Sequence, residues 1–185
     1  MIRIIAGEYR GRKLKVPQGI DIRPSSDQLR EGLFNMLAAL TDFERMIFID
    51  LYAGTGSLGL EALSRGAKKV IFIEESQKNI SVLKQNIESI SPEQNCYELT
   101  KESSAQWLSR FADPGHPCVV FIDPPFSGNE YELILNKLSI FNSIRAESLL
   151  VIESDLKRKI LFPESFIMLK HRRYGSVKLD ILRKK

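Results

Sequence analysis

Histidine and cysteine are scarce in this chain: two of each in 185 residues, beside a single tryptophan. Cys96 and Cys118 lie too far apart for a zinc-ligand pair of the usual spacing, and His116 and His171 are isolated from each other. A metal centre and a Ser-His-Asp triad are therefore not expected. Both cysteines fall in short apolar stretches that read as strands, so they are expected as buried free thiols. Long apolar runs are missing too. Nothing approaches the roughly 20 residues that cross a bilayer, and the N-terminal MIRIIAGEYRGRK lacks the apolar segment of a signal peptide. The expectation is a cytoplasmic protein with no membrane partner. No internal repeat or low-complexity linker divides the chain.

What is present suits one α/β domain with a real core: 43 % of residues are hydrophobic and 27 % charged. The net charge of +4 conceals a division. Residues 1–30 carry seven Lys or Arg against three acids, residues 157–185 ten against two, and residues 31–156 ten against eighteen. An acidic body with two basic ends points to a polyanion held at one or both ends; the plain alternative is a solvated basic surface.

The hydrophobic pattern predicts the order of elements. Residues 2–16 alternate weakly, with GEYRGRK as a hairpin turn. RPSSD (23–27) punctuates the chain, and Ser25 or Ser26 is placed to cap a helix carrying Leu29, Leu33, Leu37 and Leu40 on one face. Strands are then expected at 46–51, 69–74, 95–99, 118–123 and 148–154, alternating with helices at 57–65, 76–90, around 105–111 and near 129–141. The C-terminal stretch reads as two strands joined at Tyr174–Ser176. CVVFID has no polar alternation, as at the centre of a parallel sheet. The fold class is α/β, a doubly wound and mostly parallel sheet with an antiparallel hairpin at one edge. Ligands of such sheets bind beyond the carboxyl ends of the strands. Asp50, Glu74 and Asp123 stand at three of those ends.

DLYAGTGSLG (50–59) contains Gly54-x-Gly56-x-x-Gly59. Gly54 and Gly56 suit a tight turn close to a ligand, and Gly59 lets the following helix pack near its strand. Glu74, twenty residues after Gly54, stands where a carboxylate accepts hydrogen bonds from a ribose diol. A nucleoside is the reading; a tight turn beside a surface Glu is the plain alternative. Asp50 chooses among nucleosides. Beside a pyrophosphate, two like charges about 4 Å apart cost on the order of 4 kcal/mol at a surface-like effective dielectric. S-adenosylmethionine has a ribose, an ammonium and a sulfonium but no phosphate, and it fits both acids. A nicotinamide-dependent dehydrogenase is disfavoured on the same ground.

FIDPPF (121–126) is the second informative stretch. Pro124 and Pro125 offer carbonyl acceptors without N–H groups. Asp123 adds another acceptor, and Phe126 a flat apolar face for a base. Together they suit an exocyclic amine, held by both hydrogens so that its lone pair turns toward an electrophilic methyl. A proline-stiffened strand exit is the alternative.

DLYAGTGSLGLEAL followed by IDPPF resembles the Rossmann-like amino-group methyltransferases. With IRIIAGEYRGRKL, RPSSDQLREGLFNML and LEALSRGA, the chain resembles the RsmD-type small-subunit ribosomal RNA guanine-N2 methyltransferases from Ile2 to the terminal hairpin. The resemblance implies a seven-stranded sheet, six strands in one direction and one reversed, with a small N-terminal hairpin. It implies methyl transfer from S-adenosylmethionine, leaving S-adenosylhomocysteine, to N2 of one guanine in small-subunit rRNA, free or within an assembling or assembled subunit. By motif position, Asp50, Ala53, Gly54 and Gly56 would line the methionine end, Glu74 the ribose, and Ser103 the adenine. Serine departs from the Asn or Asp often found there. Asp123, Pro124, Pro125 and Phe126 match the catalytic motif in full.

Residues 1–22 are read as a hairpin extension that contacts RNA, and 23–185 as the methyltransferase domain. Arg10, Arg12, Lys13 and Lys15 cluster on the hairpin, Arg23 and Arg30 flank the first helix, and Lys170, Arg172, Arg173 and Tyr174 mark the terminal turn. Such cations hold phosphates and fix register rather than read sequence. Tyr9 is either a base-stacking or a packing residue. Two rival functions remain at this level: a DNA methyltransferase acting on adenine N6 or cytosine N4, and a non-catalytic RNA-binding assembly factor.

Overall fold

The computed structural model describes residues 2–17, 25–125, 129–140 and 144–185, apart from the side chains of Ser25 and Ser26. Arg23, Phe126, the expected serine cap and the boundary at 22–23 lie outside the described residues.

The apolar runs form the strands of one sheet: β3 (Ile47–Asp50), β4 (Lys69–Glu74), β5 (Tyr97–Lys101), β6 (Cys118–Ile122), β7 (Leu149–Asp155), β8 (Phe166–Tyr174) and β9 (Val177–Lys184). Their order is β5-β4-β3-β6-β7-β9-β8. The first five strands in that order pair parallel, and β9 is antiparallel to both β7 and β8. Six strands thus share a direction and β9 is reversed, as the resemblance implies. A separate antiparallel pair, β1 (Ile2–Arg3) and β2 (Lys13–Leu14), carries the N-terminal hairpin.

Among the described residues, five α-helices cover the sheet: α1 (Ser25–Ala38), α2 (Ser57–Ser64), α3 (Gln77–Ile90), α4 (Ser104–Arg110) and α5 (Glu130–Ile140). Among the described residues no helix is long and apolar enough to cross a membrane. The period-2 pleat divides the core in two. Phe48, Phe72, Phe121 and Val151 pack with Leu33, Leu60 and Leu83 of α1–α3. Ile49, Ile73, Val120 and Ile152 pack with Trp107 of α4 and Ile134 of α5. In α1 the predicted face is buried at Leu29, Leu33 and Leu37, whereas Leu40 lies past the helix and is only partly buried.

One strand is displaced from its expected position. Residues 94–96 form a single 3-10 turn, and the strand begins at Tyr97 rather than Asn95. The turn closes because the Glu93 carbonyl accepts from both the Cys96 N–H (3.1 Å) and its thiol (2.9 Å). Cys96 is consequently half-buried and off the sheet, while Cys118 is buried in β6 as expected.

The N-terminal segment is fastened to the body by hydrogen bonds. Glu61 of α2, fully buried, accepts from Ile5 N (2.7 Å) and Ala6 N (3.1 Å). Asn86 of α3, also fully buried, accepts from Lys15 N (2.8 Å) and donates to the carbonyls of Lys15 (3.0 Å) and Thr55 (2.9 Å). Ile4 and Leu14 share the core cluster of α1–α3.

Candidate active site

The pleat decides which way the strand-end acids face. Ile47 and Ile49 belong to the α4–α5 core and Phe48 to the α1–α3 core, so Asp50 continues the face of Phe48. By the same alternation Glu74 follows Phe72, Asp123 follows Phe121, and Glu153 follows Val151. Four carboxylates therefore emerge on one face of the sheet. They stand on consecutive strands in the order Glu74, Asp50, Asp123, Glu153; Asp50 pairs with Phe72 and Phe121 and so sits two residues short of Glu74 and Asp123, whereas Asp123 and Glu153 are level.

A cavity of about 270 Å³ opens there. Asp50, Tyr52, Ala53, Gly54, Asp123 and Glu153 line it, together with Leu29, Arg30 and Val177. Of the residues expected at the site, Asp50, Ala53, Gly54 and Asp123 are brought together in it. Gly56, Glu74, Ser103, Pro124 and Pro125 stand outside its lining: Gly56 caps α2, Glu74 ends β4, Ser103 caps α4, and the two prolines follow Asp123.

The glycine loop is built as its residues require. Gly54 and Gly56 have φ of +54° and +81°, conformations that side chains disfavour. A Cβ at Gly59 would lie 2.2 Å from the Phe72 ring, so only glycine brings α2 this close to β4. Glu74 is nearly buried and staples the loop, accepting from Gly54 N (2.8 Å) and Ser76 N (2.7 Å). Each carboxylate oxygen keeps a further lone pair for a hydroxyl. Ser103 caps α4, accepting from Gln106 N at 3.3 Å.

Asp50 is buried, and burial pushes its carboxyl up to about 7. The Gly59 N–H at 3.3 Å partly opposes that rise, while the charge of Glu74 adds to it. Asp123 is raised well above the ordinary carboxylate range, first by burial, then by Glu153 and Asp50. Crowded acids of this kind favour a cation or a donor-rich group between them. Pro124 is buried and Pro125 exposed.

Two site residues escaped the sequence reading. Glu153 ends the apolar run LLVIE, so the rule that selected the other three acids would have found it. Tyr52 donates its hydroxyl to Glu130 at 2.6 Å, tying the glycine loop to the start of α5. No short motif announces that contact.

Of the basic residues, Arg10, Arg12, Lys13, Lys15, Lys170, Arg172 and Arg173 are exposed. Arg30 is not, and this corrects the expectation of an RNA contact there. Its guanidinium donates to the Arg3 carbonyl (2.6 Å) and Asp27 (2.9 Å) and lies 4.0 Å from Glu61. It clamps the N-terminal segment to α1 and α2. Tyr9 is partly buried against the core. Among the described residues no cluster of three or more His, Cys, Asp or Glu is arranged to hold a metal ion.

The comparison that decides the family covers nearly the whole chain: the family model described as conserved hypothetical protein 95 matches residues 2–183. The chain belongs to this family, the RsmD family. A relative named ribosomal RNA small subunit methyltransferase D, from Haemophilus influenzae, is 36 % identical over 95 % of the chain and 90 % of its own length. A protein of the same name from Escherichia coli K12 is 35 % identical over 84 % of the chain and 76 % of its own. Among solved structures, a putative methyltransferase from Escherichia coli superposes with a TM-score of 0.85 at 32 % identity, covering 100 % of this chain and 98 % of that one. A putative methylase from Haemophilus influenzae gives 0.81 at 34 %, covering 99 % and 98 %. A putative methyltransferase solved with SAH, SMU.776, shares the fold at 13 % identity and a TM-score of 0.65, over 88 % of this chain and 50 % of that one. The RsmD-family chain is thus an α/β protein of the methyltransferase fold.

Proposed function

We propose that this RsmD-family protein is a ribosomal RNA methyltransferase that moves a methyl group from S-adenosylmethionine to N2 of a guanine in small-subunit rRNA. The observation that carries the reading is the set of acids that consecutive strands present on one face, with Asp123 and its proline turn among them. The names of the relatives supply the RNA class. The cytoplasm is where such a substrate is met.

The donor set fits the cofactor. Asp50 is buried and disfavours its own charge until a cation arrives. Gly54 has only the Tyr52 carbonyl, at 3.9 Å, near the place of a Cβ, so the cavity is open on its side. Asp50, Ala53, Gly54 and Gly56 would hold the methionine end, Glu74 the ribose and Ser103 the adenine edge. When bound, S-adenosylmethionine supplies an electrophilic methyl on a sulfonium. Asp123 and the Pro124 carbonyl accept the two amine hydrogens and turn the lone pair toward that methyl; Phe126 stacks on the base. The displaced proton passes to the Asp123 carboxylate. Rate then comes chiefly from positioning, with the guanine turned out of its stack to reach the pocket.

The exposed cations of the N-terminal segment and of the terminal turn carry the RNA. Residues 1–22 act as the RNA-contacting extension and 23–185 as the catalytic domain. Parallel calorimetric titrations with S-adenosylmethionine, S-adenosylhomocysteine and NAD test the cofactor. Binding of the first two and not the third is expected; NAD binding alone would overturn the reading.

A further inference from the structure

We propose that Glu153 reads the Watson–Crick edge of the target base, accepting the N1–H of guanine while Asp123 and the Pro124 carbonyl hold the N2 amine. The inference rests on the guanine-N2 reading and gives it a physical basis within this chain.

Placement is the first argument. β6 and β7 pair parallel with Ile122 opposite Ile152, so Asp123 and Glu153 are the next residues on neighbouring strands. Both continue the α1–α3 face and both line the cavity. Along the row of acids, Glu74 and Asp50 stand on the side of the glycine loop, and Glu153 on the side away from it. The cofactor takes the former side, which leaves the base to Glu153. Val177, from the start of the reversed strand beside β7, also lines the cavity.

Anchoring is the second. The hydroxyl of Tyr131 in α5 donates to the Glu153 backbone carbonyl at 2.7 Å, and Glu153 pairs with Leu179 across the ladder. The main chain is fixed while the side chain remains half-buried at the cavity.

Chemistry is the third. Guanine places three N–H hydrogens side by side, one on N1 and two on N2. Two acceptors on adjacent strands, about 4.8 Å apart at the backbone, match such a donor pair. Adenine and cytosine also carry an amine, but the adjoining ring nitrogen bears a lone pair. Set against a carboxylate, that lone pair is repelled and leaves a polar group unpaired, the kind of mismatch a site rejects strongly. The same three-acid cavity that attracts a cationic cofactor therefore discriminates against the two other amino bases.

The test uses 2-aminopurine, which keeps the amine at position 2 but has a lone pair at N1. Small-subunit rRNA is methylated by the wild-type protein and the modified position mapped. RNA carrying guanine or 2-aminopurine at that position is then assayed with wild type, E153Q and E153A. Wild type is expected to prefer guanine by roughly 10- to 100-fold in kcat/KM, the range of one charge-assisted hydrogen bond. In E153Q, whose amide can donate to N1, the preference falls to about threefold or less. In E153A it falls through loss on guanine alone. Affinity for S-adenosylmethionine stays within about twofold in both. An unchanged guanine preference in E153Q overturns the assignment. So does loss of S-adenosylmethionine binding in both variants, which would make Glu153 a structural prop. A wild-type product that is not N2-methylguanine instead overturns the parent reading, whatever Glu153 does.

Discussion

Acidifying the protein from pH 8 to 5.5 tests the role given to Asp50. Its carboxyl is raised from 3.8 to about 7 by burial. A shift of about three units corresponds to about 4 kcal/mol against ionisation. A ligand ammonium needs the ionised form, so its affinity scales with the ionised fraction. With the carboxyl titrating at about 7, that fraction is about one half at pH 7 and about 0.03 at pH 5.5. S-adenosylmethionine is therefore expected to bind about 30-fold more weakly at pH 5.5 than in the limit of full ionisation, losing about tenfold per unit below pH 7. Its own amino group deprotonates near 8, so affinity peaks between about 7 and 8. Calorimetry in buffers of different ionisation enthalpy reads both the affinity and the proton released, close to one per site at pH 6. D50N should bind more weakly with a flat profile over this range. Stability without ligand has the opposite sign. The folded protein takes up a proton at Asp50 that the unfolded chain does not, so stability falls as pH rises from about 4 to 7. D50N should therefore melt higher than wild type at pH 8. A flat wild-type affinity profile, or a D50N profile with the wild-type slope, would refute the reasoning.

Asn86→Ala removes three hydrogen bonds that join the N-terminal segment to the glycine loop. A destabilisation of roughly 2–4 kcal/mol in urea unfolding is expected, with earlier proteolytic cleavage before residue 17; an unchanged midpoint would contradict it. Charge reversal at Arg10 and Arg12 should weaken RNA binding and flatten its salt dependence while leaving S-adenosylmethionine affinity intact. Equal RNA affinity at every salt concentration would remove the N-terminal segment from the RNA surface.

Much of this was legible because the informative signals are local. The acids of β3, β4 and β6 end apolar runs, and the glycines follow the first of them at fixed spacing. Gly59 could be assigned a packing role from its place in the motif, and the Phe72 ring at 2.2 Å from its missing Cβ gives that role its reason. Glu153 also closes an apolar run, but β7 continues two residues past it to Asp155 and no named motif follows. Arg30 reads from sequence as a surface cation because its partners are distant: Arg3 and Glu61 meet it only when the N-terminal segment folds back over α1 and α2. The displaced start of β5 turns on one carbonyl, that of Glu93, which no propensity scale weighs. The sequence points Glu74 at a ligand; its local partner Ser76 N lies two residues on, while its bond from Gly54 N appears only when the loop comes back over β4.

The central claim is tested most directly by labelled methyl transfer from S-adenosylmethionine to free rRNA, naked DNA and partly assembled small subunits, with the modified base identified by mass spectrometry. Wild type should yield N2-methylguanine at one position of small-subunit rRNA. Asp123→Ala should lower the rate by roughly 10²- to 10⁴-fold while still binding the cofactor. Methylated adenine or cytosine in DNA, or an Asp123→Ala protein as fast as wild type, would contradict the account.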